Sequence, residues 1–208
     1  MAASLYVQFG CGFSAPEGWL NFDTSPTLCF ERLPLLGRLY TRNSQRFSRR
    51  VAYGDIIKGL PVAEGSCAGI YCSHVLEHLA LDEVDLALDN VFRHLQTGGT
   101  FRLVLPDLNQ LARDYLANPE PHAAHRFMED TYLGVKSRPR GLSGLLRIWL
   151  GNSAHLWMWD EQSLGEKLRE HGFRRIRRAV FGDAEDKKFN EVEDAGRFAA
   201  CLAMQCSK

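Results

Sequence analysis

The sequence predicts an α/β domain built on a doubly wound, mostly parallel sheet whose last strand runs antiparallel. Three observations carry that prediction. Short apolar runs rich in strand formers alternate with segments of helical spacing, the pattern of repeated βα units. Several of the runs stop at a glycine or an acid, the residues expected where open α/β sheets bind ligands. The last two runs are joined by a polar stretch, 182–196, with no convincing helix, so the final strand pairs antiparallel with its predecessor.

Composition sets the class. The 208 residues suit one domain able to bury a core without disulfides or metals. Lys plus Arg equals Asp plus Glu at 25 each, so no global field draws the chain to nucleic acid or an anionic membrane. Arginines cluster locally at 46–50, 138–140 and 174–178, where a solvated face or strand edge explains them. Six cysteines without a C-x-x-C read as reduced core thiols of a cytoplasmic protein. No basic-then-apolar leader and no apolar run near 18 residues is present, so neither export signal nor membrane span is expected.

The first element is the apolar run Leu5–Phe9, a buried strand broken by Gly10-Cys11-Gly12. A second short strand at 19–23 ends in Asp23. Residues 28–50 read as loop plus a short helix, and a third strand starting at Val51 ends beside Asp55-Ile56. A fourth at 68–72 leads into Ser73-His74. Apolar positions from Val84 to Leu95 predict a helix over 82–96, with Gly98-Gly99 as its stop. Thr100 to Leu105 form a fifth strand ended by Pro106-Asp107, and a helix follows with Asp107 as N-cap. Residues 119–159 break the rhythm with three prolines, three histidines and Trp149, Trp157 and Trp159, as an inserted lid or binding element does. A helix over 160–171 and strands over 173–181 and 197–204 complete the chain.

At the strand ends stand Gly10, Gly12, Asp23, Asp55-Ile56, Ser73-His74 and Asp107. An acid after the second strand can accept two hydrogen bonds from a ribose diol. One after the third can take an adenine amino group while a neighbouring apolar side chain covers the ring. Each Asp alone also serves as an ordinary cap or turn residue. The ordered set of glycine loop, acid and acid is far more specific than any member.

That order, Phe9-Gly10-Cys11-Gly12, Asp23, Gly54-Asp55, Ser73 to Leu79, Gly98-Gly99-Thr100 and Val104 to Leu108, resembles the class I S-adenosylmethionine-dependent methyltransferases. More narrowly it resembles small bacterial methyltransferases associated with surface-polysaccharide genes, and His155 to Asp160 resembles that group's C-terminal half. The resemblance implies a seven-stranded Rossmann-like sheet and S-adenosylmethionine as cofactor. Gly10 and Gly12 would lie along its methionine portion, with Phe9 and Cys11 also binding the cofactor, Asp23 at the ribose, Asp55 and Ile56 at the adenine, and Ser73 or His74 at the methionine end. The implied function is methyl transfer to oxygen or nitrogen of a small-molecule or carbohydrate acceptor. The domain would span 1–208, with 119–159 as lid in place of an N-terminal helix.

Three departures from the family stand out. Gln8 replaces an acid, so no charge holds the methionine ammonium, and Ser14 replaces a third glycine. Only residues 13–18 separate the glycine loop from the second strand, too few for a crossover helix.

His74-Val75-Leu76-Glu77-His78 also matches the H-x-x-E-H pattern of zinc peptidases, which on a helix would put both histidines on one face. It follows a core strand whose neighbours already compose a nucleoside site, so no metal is assigned. Candidate bases for the transfer are His74, Asp107 and His155. Rival readings are a cofactor-binding subunit without turnover, kept alive by Gln8 and Ser14, and a dinucleotide oxidoreductase. The latter is disfavoured because the third position of G-x-G-x-x-G falls on Ala15.

Overall fold

The structure, a computed structural model, describes residues 4–34, 37, 45–137 and 154–208. Seven strands form one sheet in the order β3-β2-β1-β4-β5-β7-β6. They are β1 (Leu5–Phe9), β2 (Leu20–Asp23), β3 (Val51–Tyr53), β4 (Cys67–Ser73), β5 (Leu95–Pro106), β6 (Arg174–Arg178) and β7 (Cys201–Ser207). Strands β3 to β5 pair in parallel around the β1/β4 switch point. β7 lies antiparallel between β5 and β6, which is the expected fold with its reversed last strand.

A short helix, α1 (Pro26–Glu31), follows β2. One face carries the main core, where Val7, Ile70, Phe101 and Leu202 meet Val84, Leu88 and Val91 of α2 (Leu81–His94), all fully buried. That helix keeps a polar outer face, as amphipathic spacing requires. It stops at His94, short of the expected 96, because Leu95 already turns extended and pairs with Cys67. Gly98 (φ +78°) therefore serves a bulge inside β5 rather than a helix stop, its N–H donating to Lys208 O.

The other face lacks a helix between β1 and β2. Residues 10–19 make only turns, as the short connection demands. Side chains alternate along a strand, so Tyr6, Tyr71 and Val104 point to this face and must be covered by something else. Trp19 and Phe189 do so, with ring centroids 5.7 Å apart. Phe189 sits on a single 3-10 turn (Lys187–Glu191) whose loop is anchored by the buried Arg102 of β5. A basic edge strand, β6, closes the sheet, and its bulge at Arg175 (φ +50°) and its charge discourage edge-to-edge pairing.

β7 begins at Cys201, later than the expected 197. Asp194 caps a short helix, α6 (Ala195–Phe198), and Ala200 (φ +55°) turns the chain into the strand. Between β5 and α5 (Glu161–Glu170) lie α3 (Leu108–Ala117) and α4 (Ala123–Asp130). Residues 154–159 return to the sheet edge, where Leu108 N–H donates to Trp159 O. Trp149 and Arg138 to Arg140 fall outside the described residues. All six cysteines are free; four are buried, and Cys29 is exposed rather than in the core.

Candidate active site

β1 ends at Phe9, and the chain turns through Gly10 (φ +62°) and Gly12 (φ +54°). A Cβ built on Gly10 would run into Val75 Cγ2, so glycine is demanded here by space as well as by conformation. Asp23, at the end of β2, holds the loop: Gly12 N–H donates to Oδ2 at 2.8 Å and Ser25 N–H to Oδ1 at 2.7 Å. Each oxygen keeps a lone pair for a ligand. At the end of β3, Asp55 Oδ1 accepts from Ile57 N–H at 3.0 Å and Oδ2 faces Lys58 Nζ at 3.1 Å, with Ile56 buried beside it.

These elements enclose a cleft of about 520 Å³ at the carboxyl ends of β1 to β4, within the usual size for a small-molecule site. Phe9, Gly10, Asp23, Asp55, Ile56 and His74 all line it. Cys11 and Ser73 line an adjoining cavity of about 320 Å³ that shares Phe9 and Gly10. Gly12 lines neither; its part is the hydrogen bond to Asp23. Burial and then the Asp23 charge push the Cys11 thiol up to about 12, so it stays protonated and inert.

Gln8 explains its own departure. Its Nε2 donates to Ser14 O at 2.9 Å and to Asn21 Oδ1, whose own Nδ2 donates to the carbonyls of Pro16 and Trp19. A helix-less loop must satisfy its carbonyls elsewhere, and these amides do so; a carboxylate at position 8 could donate nothing.

The three candidate bases are differently placed. His74 stands at the end of β4 with φ +56°, a strained conformation for a non-glycine residue. Its pKa is pushed up to about 9 by the Cys201 sulfur and then the Glu77 carboxylate, 3.2 Å from Nδ1, against the opposing effect of burial. Asp107 lies away from the cleft, lining a polar groove, where Oδ1 caps α3 and Oδ2 accepts from Arg178 at 2.9 Å. His155, 9% exposed, is held below the ordinary range mainly by burial. Its ring packs on His78 at 4.9 Å and on Tyr132 at 5.0 Å between centroids.

The H-x-x-E-H segment is not an α-helix. Leu76–His78 form one 3-10 turn, so His74 and His78 do not share a helix face. Instead Glu77 O accepts from Leu156 and Trp157 N–H, drawing the 154–157 segment over the turn and bringing His155 to Glu77 and His78. His78 and Leu79 also line the cleft, as do Thr24 and Ser25, which sequence reasoning did not single out. Their only signal was adjacency to a strand end.

A family model described as a methyltransferase domain matches residues 14–177. The chain belongs to the methyltransferase-domain family. Its fold is the one shared by S-adenosylmethionine-dependent methyltransferases. Among solved structures, the fold matches PigF with SAH at TM-score 0.54 and 18% identity, covering 99% of this chain and half of the PigF chain. It matches a putative S-adenosylmethionine-dependent methyltransferase from Listeria monocytogenes at TM-score 0.52 and 15% identity, covering 99% and 91%. A SAM-dependent methyltransferase from Archaeoglobus fulgidus gives TM-score 0.51 and 13% identity, covering 100% and 87%. At these identities the likeness is one of fold. No curated protein matches the chain. No helix among the described residues is long and apolar enough to cross a membrane.

The site suits this cofactor. Asp23 offers free lone pairs to hydroxyls, Ile56 an apolar wall, and Ser73 Oγ is buried without a hydrogen-bond partner in the adjoining cavity. When bound, the cofactor supplies a methyl group activated by positive sulfur.

Proposed function

We propose that this methyltransferase modifies a hydroxyl or amine of a small molecule or glycan, in the cytoplasm, within a single domain whose 119–159 segment forms the acceptor side of the site. The observation that carries this is a pair of exposed aromatic rings attached to the turn that borders the cleft. Tyr132 and Trp157 are 59% and 44% exposed, and both are tied to the His78–His155 turn that borders the cleft. Such faces stack on sugar or aromatic rings. A chain of zero formal net charge carries no basic field for a polyanionic acceptor.

Within this reading the chain's own residues divide the work. Gly10 admits the cofactor's backbone-facing edge, Asp23 and Asp55 orient its hydroxyls and base, and Ser73 donates at the methionine end. His74 holds its proton at neutral pH and so does not act as base. Asp107 is bound to a cap and an arginine. The capacity to accept a proton is left to the Glu77–His78–His155 cluster, where His155 is neutral.

Calorimetry with S-adenosylmethionine and S-adenosylhomocysteine tests the cofactor site. Both should bind, Asp23→Ala weakening them at least 10-fold, roughly the value of a charged hydrogen bond. Gly10→Ala should abolish binding in a folded protein. Unchanged affinity in Asp23→Ala would sink the ribose assignment. A methyl-labelled donor supplied with panels of sugars, small amines, phenols, RNA and protein tests the acceptor; label appearing in macromolecules alone would overturn the small-acceptor reading.

A further inference from the structure

We propose that Glu77, His78 and His155 form a binding site for one divalent transition metal ion. Ligand atoms from the three side chains lie within 4.8 Å of one another, on two segments almost eighty residues apart in the chain. A tetrahedral centre with bonds of ~2.1 Å separates its ligand atoms by ~3.4 Å. Small side-chain rotations would close the triangle.

Proximity alone would be weak; the state of the polar atoms decides. Glu77 is fully buried, and neither of its carboxylate oxygens has a hydrogen-bond partner. His74 Nδ1 stands 3.2 Å from Oε1 as an ion-pair contact, and Oε2 has no hydrogen-bond partner. A buried carboxylate that accepts no hydrogen bond is costly for a fold to keep, even beside a cation. His155 Nδ1 is likewise buried without a partner. His78 Nδ1 lies 3.0 Å from Ala154 O. A ring nitrogen facing a carbonyl must carry the proton, so Nε2 is left with its lone pair. A backbone carbonyl fixing the tautomer is the usual outer partner of a metal-bound imidazole.

Two imidazoles and one carboxylate select borderline divalent ions such as Mn, Fe, Co, Ni or Zn over Mg and Ca, which prefer oxygen. Three protein ligands leave positions open for water or substrate oxygen, the arrangement of a reactive rather than a purely structural site. This set differs from the H-x-x-E-H helix geometry, because His74 is replaced by His155, which arrives from the 154–157 segment. A bound ion would take the lone pairs that the metal-free cluster offers to a proton, so with metal present these side chains act as ligands rather than as base; the metal alone is the probe.

The test is titration of the chelator-stripped full chain with Co²⁺ and Zn²⁺, followed by visible absorption, calorimetry and thermal unfolding. Wild type should bind one equivalent of either, and its Tm should rise with metal concentration by mass action. Mg²⁺ at the same concentration should give no shift. Glu77→Gln, His78→Ala and His155→Ala should each weaken binding at least 10-fold and lose the Tm shift. The exposed pair His122 and His125, with ring centroids 5.8 Å apart, is the competing site, so a His122→Ala/His125→Ala chain should bind as wild type. Circular dichroism establishes which variants are folded; if Glu77→Gln is not, the two histidine variants decide. No binding by wild type, full binding by the cluster variants, or loss of binding only in the His122/His125 variant would each overturn the proposal.

Discussion

Glu193 and Glu77 are both carboxylates that water does not reach, and the protein treats them in opposite ways. Glu193 accepts from Arg102 Nε at 2.7 Å and from Gly182 N–H at 2.8 Å. Arg102, itself 1% exposed, also donates to Asp183 at 2.9 Å, Gln205 at 2.7 Å and Val180 O at 3.2 Å. Every charge there is answered. Around Glu77, among the described residues, the only answer is the ion-pair contact with His74. A saturated network holds a fold in one arrangement, whereas an unsaturated buried charge spends stability on something outside the fold. The first closes the sheet face that lacks a crossover helix; the second borders the cleft.

Breaking the saturated side should give the largest effect. Arg102→Met strips the buried Glu193 of its cation, leaves Asp183 to Arg177 alone, and releases the loop that carries Phe189 over Trp19. Removing one partner of a buried pair costs about 3–5 kcal/mol, so urea unfolding should show a loss of that size. A loss below about 1 kcal/mol would show that the Arg102 network does not hold the loop, and the contrast with Glu77 would collapse.

The two regions also differ in how far the sequence disclosed them. β1 was readable to the residue, because an unbroken apolar run met a glycine, and the cleft-lining acids followed from their positions after β2 and β3. The antiparallel end was readable from a helix-less connection. Neither buried carboxylate was. Arg102 sits inside an apolar strand, and its partners lie 78 to 103 residues away. His155 reaches Glu77 through backbone hydrogen bonds between residues 77 and 156–157, which no local periodicity encodes. The H-x-x-E-H spacing hinted at ligands, but it assumed a helix where the backbone, reversed at His74, makes only one 3-10 turn. The helix end at His94 was missed for a similar reason: a register with β4 overrode the glycine signal.

An intermediate effect should separate the regions by pH. His74 titrates at about 9 in the folded chain against about 6.5 unfolded, through Cys201 and Glu77, so the folded state binds its proton more tightly. That contribution is fully present below pH 6.5 and is lost as pH rises towards 9. With about a quarter of the side chain in water, it should amount to about 1–2 kcal/mol. Metal-free wild type should therefore lose stability across that window by denaturant unfolding, and His74→Asn should show a flatter profile there. A wild-type curve that is flat or rising between pH 6.5 and 9 would remove His74 as the partner of Glu77. Arg102→Met should leave the slope in this window intact, because arginine does not titrate there.

The smallest change in stability should come from Glu77→Gln, and its smallness is the sharpest form of the contrast. Glutamine keeps the shape and removes the charge. It sacrifices the ion-pair contact with His74 but relieves the desolvation of a carboxylate that accepts no hydrogen bond. The two terms oppose each other, so unfolding free energy at pH 7 in chelator should stay within about 1 kcal/mol of wild type, on either side. The slope between pH 6.5 and 9 should shrink, since His74 loses its carboxylate partner. A group whose removal leaves the fold standing while abolishing metal uptake is kept for the site. A loss as large as that of Arg102→Met would instead make Glu77 part of the scaffold, held by contacts of the same rank as those of Glu193.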